Sequence, residues 1–195
     1  MPQNIKIITY GAGNIASVKH AFRRLGQSLE EVSGPSGLLQ ADKLIFPGVG
    51  HARPAMAFLK EKGLDASIVA YDKPVLGICL GMQLMAGGSE EGNTMGLGIF
   101  TENVKRFLPG VKVPHMGWNQ VETDGTGLFN NISSGAHFYF VHSYYMETGV
   151  HTAATCRYQR SFTAAAARDN FHGVQFHPEK SGEAGMQVLK NFISL

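Results

Sequence analysis

The segment Pro74-Val75-Leu76-Gly77-Ile78-Cys79-Leu80-Gly81-Met82-Gln83 leaves the middle of this chain little conformational freedom. An apolar, strand-like run enters Gly-x-Cys-x-Gly and continues into residues able to start a helix, the nucleophile-elbow pattern with sulfur in place of oxygen. The flanking glycines have a steric reason, because a sharp strand-to-helix turn brings backbone segments closer than side chains allow. The pattern predicts a thiol exposed at the head of a helix, where the helix dipole favours the reactive thiolate. Cys79 is therefore the candidate nucleophile.

A partner for the thiol is found far along the chain. Gly173-Val174-Gln175-Phe176-His177-Pro178-Glu179-Lys180-Ser181 reads as the end of a buried strand followed by a proline-stiffened exit. Pro178 pushes His177 towards extended angles, and residues two apart in an extended segment face the same side. His177 and Glu179 are thus expected to project together. A carboxylate beside an imidazole fixes its tautomer and stabilises the imidazolium that forms when it takes a proton. Cys79, His177 and Glu179 supply nucleophile, base and orienter.

With 195 residues the chain is long enough for one α/β domain with a substantial core, spanning residues 1–195. Ile5 to Tyr10, Lys43 to Phe46 and Pro74 to Ile78 read as strands, each followed by a helical pattern or a glycine turn. Helices are expected from about Asn14 to Leu25, Pro54 to Lys62 and Glu183 to Ile193. The stretch from about Leu97 to Tyr145 is richer in β signals, and Ala153 to Cys156, Thr163 to Arg168 and Phe171 to Phe176 follow as strands. Alternation early in the chain predicts a mostly parallel central sheet with helices on both faces. The later strands add an antiparallel portion.

Charged residues make up 16% and the formal net charge is +2, with no Lys/Arg cluster dense enough for a nucleic-acid footprint. No apolar run approaches a membrane span, and nothing at the N-terminus resembles a secretory signal, so Cys79 and Cys156 are expected reduced in a cytoplasmic setting. None of the eight histidines falls in a zinc-like spacing, and neither a metal nor an organic cofactor is expected.

Acyl transfer through a thiol needs two backbone N–H groups aimed at a developing oxyanion. Leu80, directly after the nucleophile, supplies one. Gly48-Val49-Gly50, after the second strong strand, suits the other, since glycine on either side of Val49 lets the peptide plane turn at small steric cost. Such a loop is able to rest in an idle orientation and flip when regulated.

Taken together these residues carry a resemblance. Gly77 to Gln83 with Gln175-Phe176-His177-Pro178-Glu179 resembles the class I, triad-type glutamine amidotransferases, a flavodoxin-like architecture. Within that family the chain is similar to the glutaminase subunits of imidazole glycerol phosphate synthase. That narrower likeness rests on Tyr10-Gly11-Ala12-Gly13-Asn14, Pro47-Gly48-Val49-Gly50-His51, Pro114-His115-Met116-Gly117-Trp118-Asn119, Val141-His142-Ser143-Tyr144-Tyr145 and Lys180-Ser181. Thr9 departs from it, since an aspartate more often precedes the Tyr-Gly-x-Gly-Asn motif.

The resemblance implies hydrolysis of L-glutamine through a Cys79 thioester, with Gln83 and the Ser143-Tyr144 backbone helping to hold the substrate and Gly48 in the same loop. It also implies a second polypeptide. The glutaminase domain uses the whole length, leaving nothing to consume ammonia. The family's partner is a cyclase with a (β/α)₈ barrel, which uses that ammonia to form imidazole glycerol phosphate and aminoimidazole carboxamide ribotide in a heterodimer. Asn14, Met116, Trp118 and Lys180 are the candidate docking residues, Trp118 being the single tryptophan and a typical interface anchor.

Other classes compete for the same residues. Gly11-Ala12-Gly13-Asn14-Ile15-Ala16 fits a dinucleotide fingerprint, with Glu30 or Glu31 at the required distance. A cysteine peptidase on this fold, a glutaminase subunit of another synthase such as anthranilate synthase, and an inert scaffold are further readings. The short chain and the Cys79, His177 and Glu179 set argue against the first, that intact set against the last, and Pro114 to Asn119 with Lys180-Ser181 against another synthase.

Overall fold

The computed structural model describes residues 3–11 and 14–195. Its first part alternates strands and helices: β1 (Ile5–Ile8), α1 (Ile15–Arg24), β2 (Leu29–Val32), α2 (Pro35–Leu39), β3 (Lys43–Phe46), α3 (Ala52–Glu61), α4 (Leu64–Val69), β4 (Val75–Ile78) and α5 (Leu80–Leu84). Nine strands follow, β5 (Gly88–Ser89), β6 (Thr94–Met95), β7 (Asn103–Arg106), β8 (His115–Thr123), β9 (Ala136–His142), β10 (Tyr144–Met146), β11 (Thr152–Arg157), β12 (Ser161–Arg168) and β13 (Phe171–Val174). Helix α6 (Gly182–Ser194) comes last.

One sheet holds all these strands. Its main path runs β2-β1-β3-β4-β13-β12-β10-β7-β5-β6, while β11 pairs with β12 and β8, and β8 with β9. The strands from β2 to β13 along this path are parallel. From β12 onwards the pairing is antiparallel, save for β5 against β7. The parallel strands are fully buried at β1, β3 and β4, as a sheet covered on both faces requires. On one face α1 and α6 bury Phe22, Val188, Leu189 and Phe192 against Ile5, Ile7, Ile45, Leu76 and Ile78. On the other, α3 and α4 bury Met56, Leu59, Leu64 and Ile68 against Ile8, Leu44, Phe46 and Val75.

Local chemistry sets the element ends. The Asn14 side chain accepts from the Ser17 N–H and caps α1, which removes one orphan donor at the helix start. Lys6, 2% exposed within β1, places its ammonium 3.3 Å from Glu30 and 3.5 Å from the Gln40 side-chain oxygen. Its burial is thereby satisfied. Among the described residues, no helix is long and apolar enough to cross a membrane.

Candidate active site

Three chain segments leave the carboxyl ends of neighbouring parallel strands and converge, as ligand sites of open α/β sheets do. They are the Pro47-Gly48-Val49-Gly50 loop after β3, the elbow after β4, and the His177 segment after β13. The parallel register Ile78↔Val174 and the Cys79 N–H donating to the Val174 carbonyl at 2.8 Å bring the far end of the chain beside the thiol. Cys79 itself has φ 53° and ψ −108°, a sparsely populated conformation for a residue with a side chain that costs about 1–3 kcal/mol. Two residues on, Gly81 lies against the Phe46 carbonyl, so closely that any Cβ there would overlap this oxygen.

The elbow differs from its sequence reading in two ways. Cys79 is only 6% exposed. The Val49 loop and the Val141–Tyr144 segment wall it in, and the thiol opens only into a cleft of about 320 Å³. Helix α5 spans just Leu80–Leu84, so its macrodipole is smaller than the pattern suggested. The titratable neighbour of the sulfur is His177. Burial works to lower the His177 pKa, but Cys79 and the Glu179 carboxylate override it and raise it to about 10.

His177 Nδ1 lies 2.9 Å from Glu179 Oε1, and both side chains are buried, at 3% and 1% exposure. The expected pairing is there, but strand alternation does not produce it. His177 is extended, whereas Pro178–Lys180 forms a 3-10 turn that swings the carboxylate back onto the imidazole. Ser181, 2% exposed, fastens this turn: its hydroxyl donates to the His177 carbonyl at 2.6 Å and accepts from the Tyr139 N–H at 3.0 Å. The outer imidazole nitrogen, Nε2, makes no hydrogen bond, and the sulfur contacts the Val141 carbonyl at 3.9 Å and the Gln175 amide nitrogen at 3.6 Å. Catalytic hydrogen bonds are often loose before substrate arrives.

The proposed oxyanion donors are not both free. The Leu80 N–H donates to the Gly48 carbonyl at 3.3 Å, so the loop occupies one of the two expected donors. Gly50, at φ 118°, has the conformational range for that loop to turn over. Gly48 has no room for a side chain, since a Cβ would meet the Tyr10 hydroxyl and Leu80.

Val49, Gly50, Gln83, Ser143 and Tyr144 all line the same cleft as Cys79. The Gln83 amide nitrogen is already committed, donating to the Tyr144 carbonyl and to Gln175 Oε1, both at 2.8 Å. The Ser143 carbonyl accepts from the Phe107 N–H at 3.2 Å. These two backbone carbonyls therefore serve the frame. Sequence reasoning missed Glu91, a buried carboxylate in this cleft whose Oε2 accepts from the Ala52 N–H at 2.7 Å. In sequence Glu91 sits in a polar turn, Ser89-Glu90-Glu91-Gly92, with no pattern to single it out.

Of the four docking candidates, Met116 and Trp118 are each 57% exposed on β8, and Lys180 extends over the Tyr139 ring, 5.8 Å from its centroid. Trp118 stands edge-on to the same ring at 6.2 Å. Asn14 is half-buried and spends its side-chain oxygen on the α1 cap. The dinucleotide fingerprint fares less well. Ala12 and Gly13 lie outside the described residues, and Glu30 and Glu31 are paired with Lys6 and Lys19 at 3.3 and 2.7 Å.

Comparison with known proteins agrees with this geometry. The family model described as "Glutamine amidotransferase class-I" matches residues 6–195. Imidazole glycerol phosphate synthase subunit HisH of Bacteroides fragilis is 52% identical, over 98% of this chain and 99% of its own. The same-named subunit of Escherichia coli is 49% identical, over 98% of this chain and all of its own. The structure of PurLQS from Thermotoga maritima superimposes with a TM-score of 0.75 at 18% identity, over all of this chain and 99% of that one, and so shares the fold. A cysteine elbow, a buried His–Glu pair and these matches lead to one conclusion: the chain belongs to the class-I glutamine amidotransferases and, among them, to the HisH subunits of imidazole glycerol phosphate synthase.

Proposed function

We propose that residues 1–195 act as one glutamine amidotransferase domain that hydrolyses L-glutamine in the Cys79 cleft and hands ammonia to a cyclase subunit. The observation that carries this reading is a buried His177–Glu179 pair beside a thiol on a strained elbow. Cys79 passes its thiol proton to His177 Nε2 and its sulfur attacks the side-chain amide carbon, while the carbonyl π electrons move onto oxygen. His177, held as imidazolium by Glu179, gives its Nε2 proton to the departing nitrogen as the C–N bond breaks, which releases ammonia. A water then loses a proton to His177 and attacks the γ-glutamyl thioester, and the C–S bond breaks to free glutamate. The Leu80 N–H and the Val49 loop stabilise both tetrahedral oxyanions once the Gly48 carbonyl has swung away.

That occupied donor gives the reading its regulation: the unassisted chain hydrolyses glutamine poorly until the partner's nucleotide turns the Gly48-Val49-Gly50 loop. Ammonia protonates and is lost in open water, so the partner must sit over the cleft. Met116, Trp118 and Lys180, with Asn14 at their edge, offer an exposed aromatic and basic face for a (β/α)₈-barrel cyclase, in a cytoplasmic heterodimer.

Glutamate release from glutamine tests the reading, measured for the chain alone and with a cognate cyclase plus its nucleotide ligand. Little release alone, strong release with partner and ligand, and none from Cys79→Ala are expected. Trp118→Ala should weaken binding of the cyclase by about tenfold or more and leave the melting temperature nearly unchanged. Release indifferent to the cyclase, or Trp118→Ala lowering only the melting temperature, would overturn the gating and the docking face respectively.

A further inference from the structure

Two motifs bear side chains that the reaction above does not use: His115 and Asn119 on β8, and His142 at the end of β9. The strands are antiparallel neighbours with His115 directly opposite His142, and both imidazoles are buried. His115 Nδ1 and His142 Nε2 are 2.9 Å apart. At one end of the pair, His142 Nδ1 lies 2.7 Å from the Tyr144 carbonyl. At the other, His115 Nε2 lies 3.2 Å from the Asn119 amide nitrogen.

Backbone groups fix the direction of every bond in this row. A carbonyl only accepts, so His142 Nδ1 carries the hydrogen and its Nε2 is bare. His115 Nδ1 must then donate, which leaves His115 Nε2 as acceptor for Asn119. The Asn119 orientation is set independently: its oxygen accepts from the Gln120 N–H at 2.8 Å and its nitrogen also donates to the Arg157 carbonyl at 3.0 Å. A proton added to either ring would set donor against donor. The surroundings agree, because Phe140 and Tyr158 stack on His115 with centroids 5.0 and 4.1 Å away. Burial lowers His115 to about 4 and His142 to about 3.

The row ends in the cleft. The Tyr144 carbonyl accepts from His142 on one side and from Gln83, at 2.8 Å, on the other, which fills both its lone pairs. Gln83 also donates to Gln175, and Gln175 donates to the Cys79 sulfur. His142 Nδ1 thus closes an i to i+2 side-chain turn around Ser143, the kink between β9 and β10 that forms one wall of the cleft.

We propose that His142, held neutral and in register by His115 and Asn119, is a positioning residue for glutamine: it fixes the Ser143–Tyr144 wall against which the substrate is placed. The inference rests on the glutaminase reading above and deepens it.

The decisive comparison uses His142→Asn and His142→Gln, together with His142→Leu, each assayed for glutamate release with the cyclase and its ligand. An asparagine amide reaches the Nδ1 position and keeps the bond to the Tyr144 carbonyl. A glutamine amide reaches the Nε2 position and loses it. His142→Asn should keep KM for glutamine within about threefold of wild type, while His142→Gln and His142→Leu raise it about tenfold or more with a smaller change in kcat. Alkylation of Cys79 by iodoacetamide, which needs no glutamine wall, should keep its rate in all of them. Equal KM values for the Asn and Gln variants, or KM effects matched by loss of alkylation, would overturn the inference even if His142→Leu does not fold. A wild type that releases no glutamate even with the cyclase and its ligand would overturn the glutaminase reading, and this inference with it.

Discussion

The strain at Cys79 is the residue-scale fact with the plainest consequence. Glycine ordinarily destabilises a fold relative to alanine by about 0.5–1 kcal/mol, because it loses more backbone freedom. At φ 53°, ψ −108° the order should reverse, since alanine keeps the Cβ clash and glycine does not. Cys79→Gly is expected to be more stable than Cys79→Ala by about 1 kcal/mol, with both inactive, and denaturant unfolding of the two variants checks it. Cys79, His177 and Glu179 were legible in the sequence because their residue types and intervals are unusual. What surrounds them was not. Glu91, the Ser181 hydroxyl and the occupied Leu80 N–H depend on which groups meet across the fold, and no local pattern encodes that.

Among the elements, the elbow and the strands beside it tolerate the least change. Any Cβ at Gly81 would overlap the Phe46 carbonyl oxygen, a rigid neighbour in the adjacent strand. Gly81→Ala should therefore destabilise by about 3 kcal/mol and abolish glutamine hydrolysis, as read by chemical denaturation and by glutamate release. Strongly patterned elements were visible beforehand: β1, β3, β4, α1, α3 and α6 follow from apolar runs or helical spacing. The short ones were not. Strand β2, Leu-Glu-Glu-Val with a buried-exposed-exposed-buried pattern, breaks the alternation that marks a strand, because it lies at the sheet edge. Helices α2 and α4 are five and six residues long, too short for a helical period to declare itself. Glu179 meets His177 by a local geometry other than the expected one, since a 3-10 turn and not an extended strand carries it.

Over the whole molecule, the buried histidines set the response to acid. His115 and His142 have folded pKa values lowered to about 4 and about 3, and burial also lowers His172. Unfolding therefore takes up protons below the ordinary histidine value, and stability falls as pH drops from about 6.5 towards 4. Each fully titrating group adds a slope of about 1.4 kcal/mol per pH unit. His177 has the opposite sign. Its pKa is raised to about 10, so its contribution is complete below the unfolded value and fades as pH climbs towards 10. Unfolding midpoints measured from pH 4 to 10 should peak near pH 6.5 to 7, and His142→Asn should flatten the acid side alone. The sheet order carries one more consequence. Strand β13 lies inside the sheet between β4 and β12, yet Gln175 beyond it follows Cys79 by 96 residues. During synthesis the ribosome finishes the thiol-bearing strand long before the base-bearing one exists. A nascent chain therefore carries Cys79 with no His177 segment beside it, and the two meet only when the late strand joins β4 and β12.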